Sequence, residues 1–413
     1  MPILRQVTYH QIAQDKSWSP TKTFVILLLH FVYFGVNLGG LGVLWALIID
    51  ELAISKGVFG GLQAVPAFLG MLVLLAGGSI TLRVTKKLIG ISGLVCLSAG
   101  SLLLSIVGNL PELALVMMTL GIGDGLMDLS INAASIDWEK ATSKHALNVM
   151  HAGFAGGAML GSFGTGWAIG LGWNYETVLL LIGILGILAI LATITIKYPP
   201  SSIEAEGTGL SQTVKLLSTH KRLIFIALIC SLGVMGESVA NLWTVIYLRD
   251  LGASASVGGT ALAAFNGAML LGRLLNAPFV MRFGERVSLV TSGIILLLAN
   301  ALLLVHSIPT AIAGFALTGL GSAGVIPTAL GLGHKVAPKI DSGAIAGISM
   351  SAVYACFILC PPIVGLIADS VSLRAAMILI GLSGLFVLLL VVAATSSPPD
   401  VDVNNYGASP NAT

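Results

Sequence analysis

Charge is what this sequence has least of. Only 9% of its 413 residues are Asp, Glu, Lys or Arg, against roughly a quarter in soluble domains. A chain this poor in charge cannot cover the surface of soluble domains, and a net charge of +2, spread among loops, gives no basic face for nucleic acid. Cysteine is scarce as well. Cys96, Cys230, Cys356 and Cys360 all sit in apolar stretches with no histidine at ligand spacing, which argues against a disulfide framework and against a metal site. Catalytic motifs are missing: there is no G-x-S-x-G, H-E-x-x-H or P-loop. The G-x-G-x-x-G match GLGSAG, residues 319–324, lies inside an apolar run with no strand before it, so it does not read as a dinucleotide site. No enzyme, no metal and no cofactor is expected. No cleavable signal stands out either, because the apolar stretch from Phe24 is too long for a signal h-region.

Long apolar runs are what remains. Hydrophobic residues make up 56% of the chain, and fifty glycines accompany them; small residues let membrane helices approach closely. At roughly 20 residues per crossing, twelve spans are predicted: 24–50, 58–82, 88–108, 112–136, 145–172, 175–197, 222–248, 256–282, 287–307, 309–334, 342–368 and 373–395. The runs are continuous, not ten-residue alternations, so they are helices and not barrel strands. Sixteen Lys and Arg fall in segments on one side; Lys56, Arg249 and Arg374 fall on the other, and Arg273 lies inside a span. The excess orients both termini and the central loop toward the cytoplasm.

The chain also repeats. Gly35, Trp45 and Met71 match Gly233, Trp243 and Met269 at an offset of 198; Arg83–Lys87 match Arg282–Arg286 at 199; Thr119-Leu120-Gly121 faces Gly319-Leu320-Gly321 at 200. A near-constant offset across three regions predicts two six-span halves related by an axis along the membrane normal. The expected organisation is a cytoplasmic segment 1–23, a first bundle 24–197, a linker 198–221, a second bundle 222–395 and a cytoplasmic tail 396–413. Leu210, Val214 and Leu217 share one face of the linker, which suggests a short helix on the inner leaflet.

Six plus six spans with basic loops after spans 2 and 8 resemble the major facilitator superfamily. That family carries a Gly-x3-Asp-Arg-x-Gly-Arg-Lys loop after span 2, and GSITLRVTKK (78–87) keeps Gly78, Arg83, Lys86 and Lys87 of it. Leu82 replaces its Asp and Thr85 its second Gly, so the acidic half of the family's gating pair is missing there. MHAGFAGGAMLG (150–161), GESVANLWTVIYLRD (236–250) and FNGAMLLGRLLNAPFVMRFG (265–284) resemble bacterial inner-membrane members near the fucose–proton symporter branch. The resemblance implies two pseudo-symmetric bundles that rock about a central site, lined by spans 1, 4, 7 and 10. It also implies residence in a bacterial inner membrane.

The candidate site residues are the polar groups inside apolar spans. Asp124, Asp128 and Asn132 are spaced i, i+4, i+8 and form one helix stripe. An ionisable group costs at least ~2.5 kcal/mol near a bilayer centre, so the stripe is expected to face a cavity or the bundle interior. Burial disfavours the charged form of a carboxylate, which suits proton exchange; a structural hydrogen bond between helices is the plainer alternative. Glu237 and Asn241 make a second i, i+4 pair, with Asn37 and His30 expected opposite them in span 1. Arg273 needs a carboxylate, either as a state-dependent pair with Asp128 or another acid, or as a permanent structural one. His151 is either a proton relay or a satisfied core histidine. Trp45 and Trp243 are stacking candidates for a sugar ring, against a default role in packing. Asn266 joins the substrate-binding candidates, and Arg83 and Arg282 the gating candidates. Gly153, Gly157 and Gly161 form a small-residue stripe in span 5, which lacks the Gly-Pro signature of drug–proton antiporters.

The expected function is proton-coupled transport of a small polar solute, a sugar or polyol, by alternating access. An efflux antiporter for amphipathic or cationic compounds is the alternative, a fold-keeping receptor a third, and sodium coupling stays open. The expected partners are the solute and the lipid bilayer, with the chain acting as a monomer.

Overall fold

The computed structural model describes residues 18–199, 221–336, 340 and 342–396. The predicted linker helix and the polar tail lie outside the described residues. Among the described residues twelve helical segments cross the molecule. In the first half they are α1 (Pro20–Glu51), α2 (Lys56–Leu75, continued by Gly77–Thr81), α3 (Lys86–Leu104), α4 (Leu110–Thr142), α5 (Leu147–Gly170) and α6 (Tyr175–Ile194). In the second half they are α7 (Lys221–Gly233, continued by Met235–Asp250), α8 (255–283), α9 (285–304), α10 (Ile308–Ser322, continued by Val325–Val336), α11 (Ser342–Ser370) and α12 (Leu373–Ala376, continued by Ile378–Ser396).

Ten helices are long and apolar enough to cross a membrane by length and composition. The fifty-residue stretch Ala255–Leu304 counts there as one but turns at Gly284. Gly284 has φ 84° and ψ 164°, a conformation open in practice to glycine alone. Across that turn Ser288 Oγ donates to Asn276 Oδ1 at 3.1 Å, pairing α8 with α9. The glycine-rich α5 supplies the twelfth crossing.

Local chemistry sets where the helices begin. Ser19, Ser55, Thr85, Asn109, Asn174, Ser254, Ser307 and Ser372 each accept a backbone N–H of the first turn, satisfying donors that have no intrahelical partner. Pro20, Pro111 and Pro309 stand at first-turn positions, where a missing N–H costs nothing.

Between helices, close packing replaces the hydrophobic drive that lipid removes. Gly157 and Gly161 lie against the Val32 and Val36 carbonyls of α1, and any Cβ there would collide with backbone. The span-5 stripe therefore fastens α5 to α1 within one half. The repeat is visible in the same terms. Gly121 of α4 rests on the Pro66 backbone of α2, and Gly319 of α10 on the Phe265 carbonyl of α8, at offsets of 198 and 199; the structural counterpart of Gly121 is therefore Gly319, two residues before the Gly321 that the sequence aligns with it. The outer surface is apolar, with Leu181, Leu185 and Leu188 of α6 exposed where lipid would lie.

Contacts between the halves gather at the end away from the basic loops, here called the far end. Arg249 Nη2 meets Asp50 Oδ2 at 2.6 Å, and Lys56 Nζ meets Asp250 Oδ2 at 2.6 Å. The Gly57 amide donates to Asp369 Oδ2 at 2.9 Å. Below them α2 and α11 touch backbone to backbone at Gly60 against Pro361 and Gly365 against Lys56, and α5 meets α8 at Gly166 and Gly259. Toward the basic end Leu72 and Leu75 of α2 and Met350 of α11 are exposed. The space between the halves is thus sealed at the far end and opens at the basic end.

Candidate functional site

A cavity of about 360 Å³ lies between the halves at mid-height. Asp124 and Asp128 face it from α4, Glu237 and Asn241 from α7, and Asn266 from α8. Ser238 of α7, Gln63 of α2 and Tyr354 of α11 complete the polar lining, while Phe34, Phe154 and Phe357 supply aromatic surface. The acid stripe faces inward, as its cost in lipid requires.

The acids are held differently. Tyr354 Oη donates to Asp128 Oδ2 at 3.1 Å, and Asn132 Nδ2 donates to Asp128 Oδ1 at 2.6 Å. Asp124, one turn away, has no hydrogen-bond partner among the described residues and presents its carboxylate to the cavity. Glu237 Oε1 lies 3.8 Å from Arg273 Nη2, with side chains 17% and 32% exposed. The acid that Arg273 finds is therefore on the adjacent helix of its own half, and the pairing with Asp128 weighed from the sequence is not made in this conformation. Asn266 is buried and donates to its own helix at Leu262 O, 3.0 Å, and to Ser162 Oγ of α5 at 3.4 Å.

Several sequence candidates lie elsewhere. Asn37 is buried and donates to Ser101 Oγ of α3 at 2.9 Å, so it ties α1 into its own half. His30 points to α6, with Nε2 2.6 Å from Thr193 Oγ1 and Nδ1 3.3 Å from Tyr198 Oη. His151 packs edge-on against Phe31 at 5.2 Å and does not line the cavity. Asn132 spends its amide on Asp128 and supports that carboxylate from outside the lining. Trp45 and Trp243 are buried to either side of Phe59, at ring distances of 5.7 and 5.5 Å. They form an aromatic plug toward the far end, not a platform in the cavity.

The family expectation that α10 lines the site also needs correcting. The lining comes from α1, α2, α4, α5, α7, α8 and α11. Gln63 and Tyr354 were missed by sequence reasoning. Gln63 could have been found as an amide inside a predicted span; a lone tyrosine carries no such signal.

The gating candidates sit at the basic end. Arg83 is exposed, and Arg282 is exposed with its guanidinium 5.3 Å from the Phe283 ring centre. The missing acid of the span 2–3 loop is supplied from another helix: Lys86 pairs with Asp137 of α4, whose side chain is 1% exposed. In the second half Lys335 Nζ pairs with Glu285 Oε2 at 2.7 Å. Lys86 and Glu285 are 199 apart and Asp137 and Lys335 198 apart, so the two halves make the same contact with its charges exchanged. Both pairs lie within one half.

A sequence profile of the Major Facilitator Superfamily matches residues 25–247 and 228–411. Among curated proteins, an uncharacterized transporter of Sinorhizobium fredii, y4wD, is 27% identical over 349 residues, covering 81% of this chain and 90% of that protein. An uncharacterized MFS-type transporter of Yersinia pestis is 29% identical over 314 residues, covering 73% and 78%. Among solved structures, the D-xylose-proton symporter matches with a TM-score of 0.73 at 13% identity, over 92% of this chain and 98% of that one. FucP in its outward conformation matches with a TM-score of 0.62 at 15% identity, over 91% and 99%. At these identities the structures speak for the fold alone. Two pseudo-symmetric six-helix halves, a cavity between them and a profile match along nearly the whole length agree: this chain is a membrane transporter and belongs to the Major Facilitator Superfamily.

Proposed function

We propose that the chain is a proton-coupled transporter for a small polar solute of the sugar or polyol kind. The observation that carries this reading is the pair of carboxylates, Asp124 and Asp128, in a cavity between the halves, with no cation among the described residues paired to either. Acids so placed take up and release protons as access changes side. Asp128, held by Tyr354 and Asn132, serves as the proton site. Asp124, Gln63, Asn241 and Asn266 offer acceptors and donors to solute hydroxyls, and Phe34, Phe154 and Phe357 cover the solute's apolar faces. Arg273 answers changes of charge at Glu237.

The excess of basic loop residues puts the open end in the cytoplasm, so the conformation described is inward-facing. The solved structure named as a D-xylose-proton symporter lends the sugar reading support by analogy only. Three acids among aromatic rings favour a second reading, export of an organic cation against protons.

Solute-driven pH change inside proteoliposomes separates the two, scanned across sugars and amphipathic cations with Asp128→Asn beside the wild type. Proton entry together with a sugar, lost in the variant, supports symport. Proton movement opposite to a cation supports the second reading. Silence across both panels from folded protein refutes the proton-coupled assignment.

A further inference from the structure

The two α4 acids differ in one respect that bears on coupling: only Asp128 is bonded to the other half. Tyr354 belongs to α11, and its hydroxyl reaches 3.1 Å across the cavity to the Asp128 carboxylate. Among the described residues the other inter-half bonds, Gly57 to Asp369, Lys56 to Asp250, Arg249 to Asp50 and Asn266 to Ser162, lie nearer the far end or involve no cavity acid. We infer that Tyr354 is the positioning residue through which the state of Asp128 is transmitted to the second half. The inference rests on the proton-coupled reading and assigns that reading's mechanical link.

The argument is one of bond strength. A hydrogen bond to an ionised carboxylate is roughly twice as strong as one between neutral groups. With Asp128 ionised, Tyr354 holds α11 to α4 at mid-height in the arrangement described, and that basic-end-open arrangement is favoured. With Asp128 protonated, the bond weakens and the halves are freer to rock. Asn132 holds the other carboxylate oxygen at 2.6 Å, so Asp128 keeps its orientation in either state. Asp124 makes no such link and is left for solute.

The titratable surroundings are few. Asp124 neighbours Asp128 on α4, and Tyr33 of α1 lies within electrostatic reach of Asp124. Cys96 of α3 approaches at Gly123, α2 brings the neutral Gln63, and Glu237 faces from α7. Asp128 and Tyr354 are the titratable pair joined by an inter-half hydrogen bond at the cavity.

The test needs no solute. Spin labels at Lys144→Cys and His334→Cys, both exposed at the basic end, report the opening in the purified full chain with its four native cysteines replaced. Between about pH 8 and about pH 5 the ratio of open to closed distances should fall about tenfold in the labelled parent, the scale of losing a charge-assisted bond. Tyr354→Phe keeps the ring and should reduce that response to under about twofold. Asp128→Asn should do the same, and Tyr354→Phe should add nothing on top of it.

A full pH response in Tyr354→Phe overturns the inference and leaves proton coupling standing. Two independent, additive effects overturn it as well. Where Tyr354→Phe fails to fold, a pH response surviving in Asp128→Asn overturns it instead. A labelled parent with no pH response refutes this link, while proton entry with solute in liposomes remains the separate check on the parent reading.

Discussion

The two halves of this transporter share a backbone plan and differ in their chemistry. Where they are built alike, the contacts are steric: Gly121 on Pro66 in the first half, Gly319 on Phe265 in the second. Where they face the cavity, they diverge. At the offset of 198 that relates the α4 and α10 contacts, Asp124 and Asp128 have Ser322 and Ile326 as counterparts; at the same offset Glu237 and Asn241 have Gly39 and Val43. Each half thus brings its acids from a different helix of the repeat, α4 in one and α7 in the other. Repetition supplies the shared frame, and departure from repetition gives the two walls of the cavity different side chains.

The frame can be broken symmetrically, with the largest expected effect. Gly121→Leu and Gly319→Leu each force a side chain into backbone, and overpacking of this kind costs ~1–3 kcal/mol or more. Both should reduce the yield of monodisperse protein on size exclusion severely and to a similar degree. If only one is damaging, the halves are not mechanically equivalent.

The charge-exchanged pairs at the basic end should respond unequally. Asp137 is buried, and Asp137→Asn strands Lys86 without its counter-charge; we expect a loss of about 2–3 kcal/mol, toward the lower end for buried pairs because Lys86 is partly exposed. Lys335 is 64% exposed in its pair, so Glu285→Gln should cost under ~1 kcal/mol. Denaturant unfolding in detergent measures both, and equal losses would show that burial is not what separates them.

The far-end ion pairs sit lower still. Lys56→Ala and Arg249→Ala each remove one exposed pair between the halves, worth ~0.2–1 kcal/mol and weakened by salt. Labels across the far end should show a modest rise in separated distances, with the parent moving the same way as salt is raised. A shift that ignores salt would assign the seal to the glycine contacts alone.

Much of this was legible in the sequence, and the rest was hidden for physical reasons. Long apolar runs and a constant offset revealed twelve crossings and two halves. Asp124, Asp128 and Glu237 stood out because lipid makes an ionisable group costly. The direction each helix faces was harder. A span that is apolar all round carries no periodic signal of its inner side, so Asn37 and His30 gave no sign that they face their own half. Asp137 fell just beyond the predicted end of span 4. The helix runs on to Thr142, and that extension brings Asp137 to Lys86. Tyr354 was invisible because a tyrosine in a span is ordinary until its hydroxyl is seen to reach across.

Under the proposed function Asp128 of α4 carries the proton, and α7 meets the solute through Asn241 beside the Glu237–Arg273 pair. The most direct measurement compares Asp128→Asn with Glu237→Gln in liposomes, using whichever compound of the panel drives proton movement in the wild type. Two rates are read for each: exchange of labelled solute at equal concentrations, and accumulation driven by a pH gradient. Asp128→Asn should keep exchange within about threefold and lose accumulation by more than ~10-fold, the scale of one charged interaction. Glu237→Gln should weaken both together. The same profile in the two variants, or the reverse assignment, would contradict the division of labour between the halves.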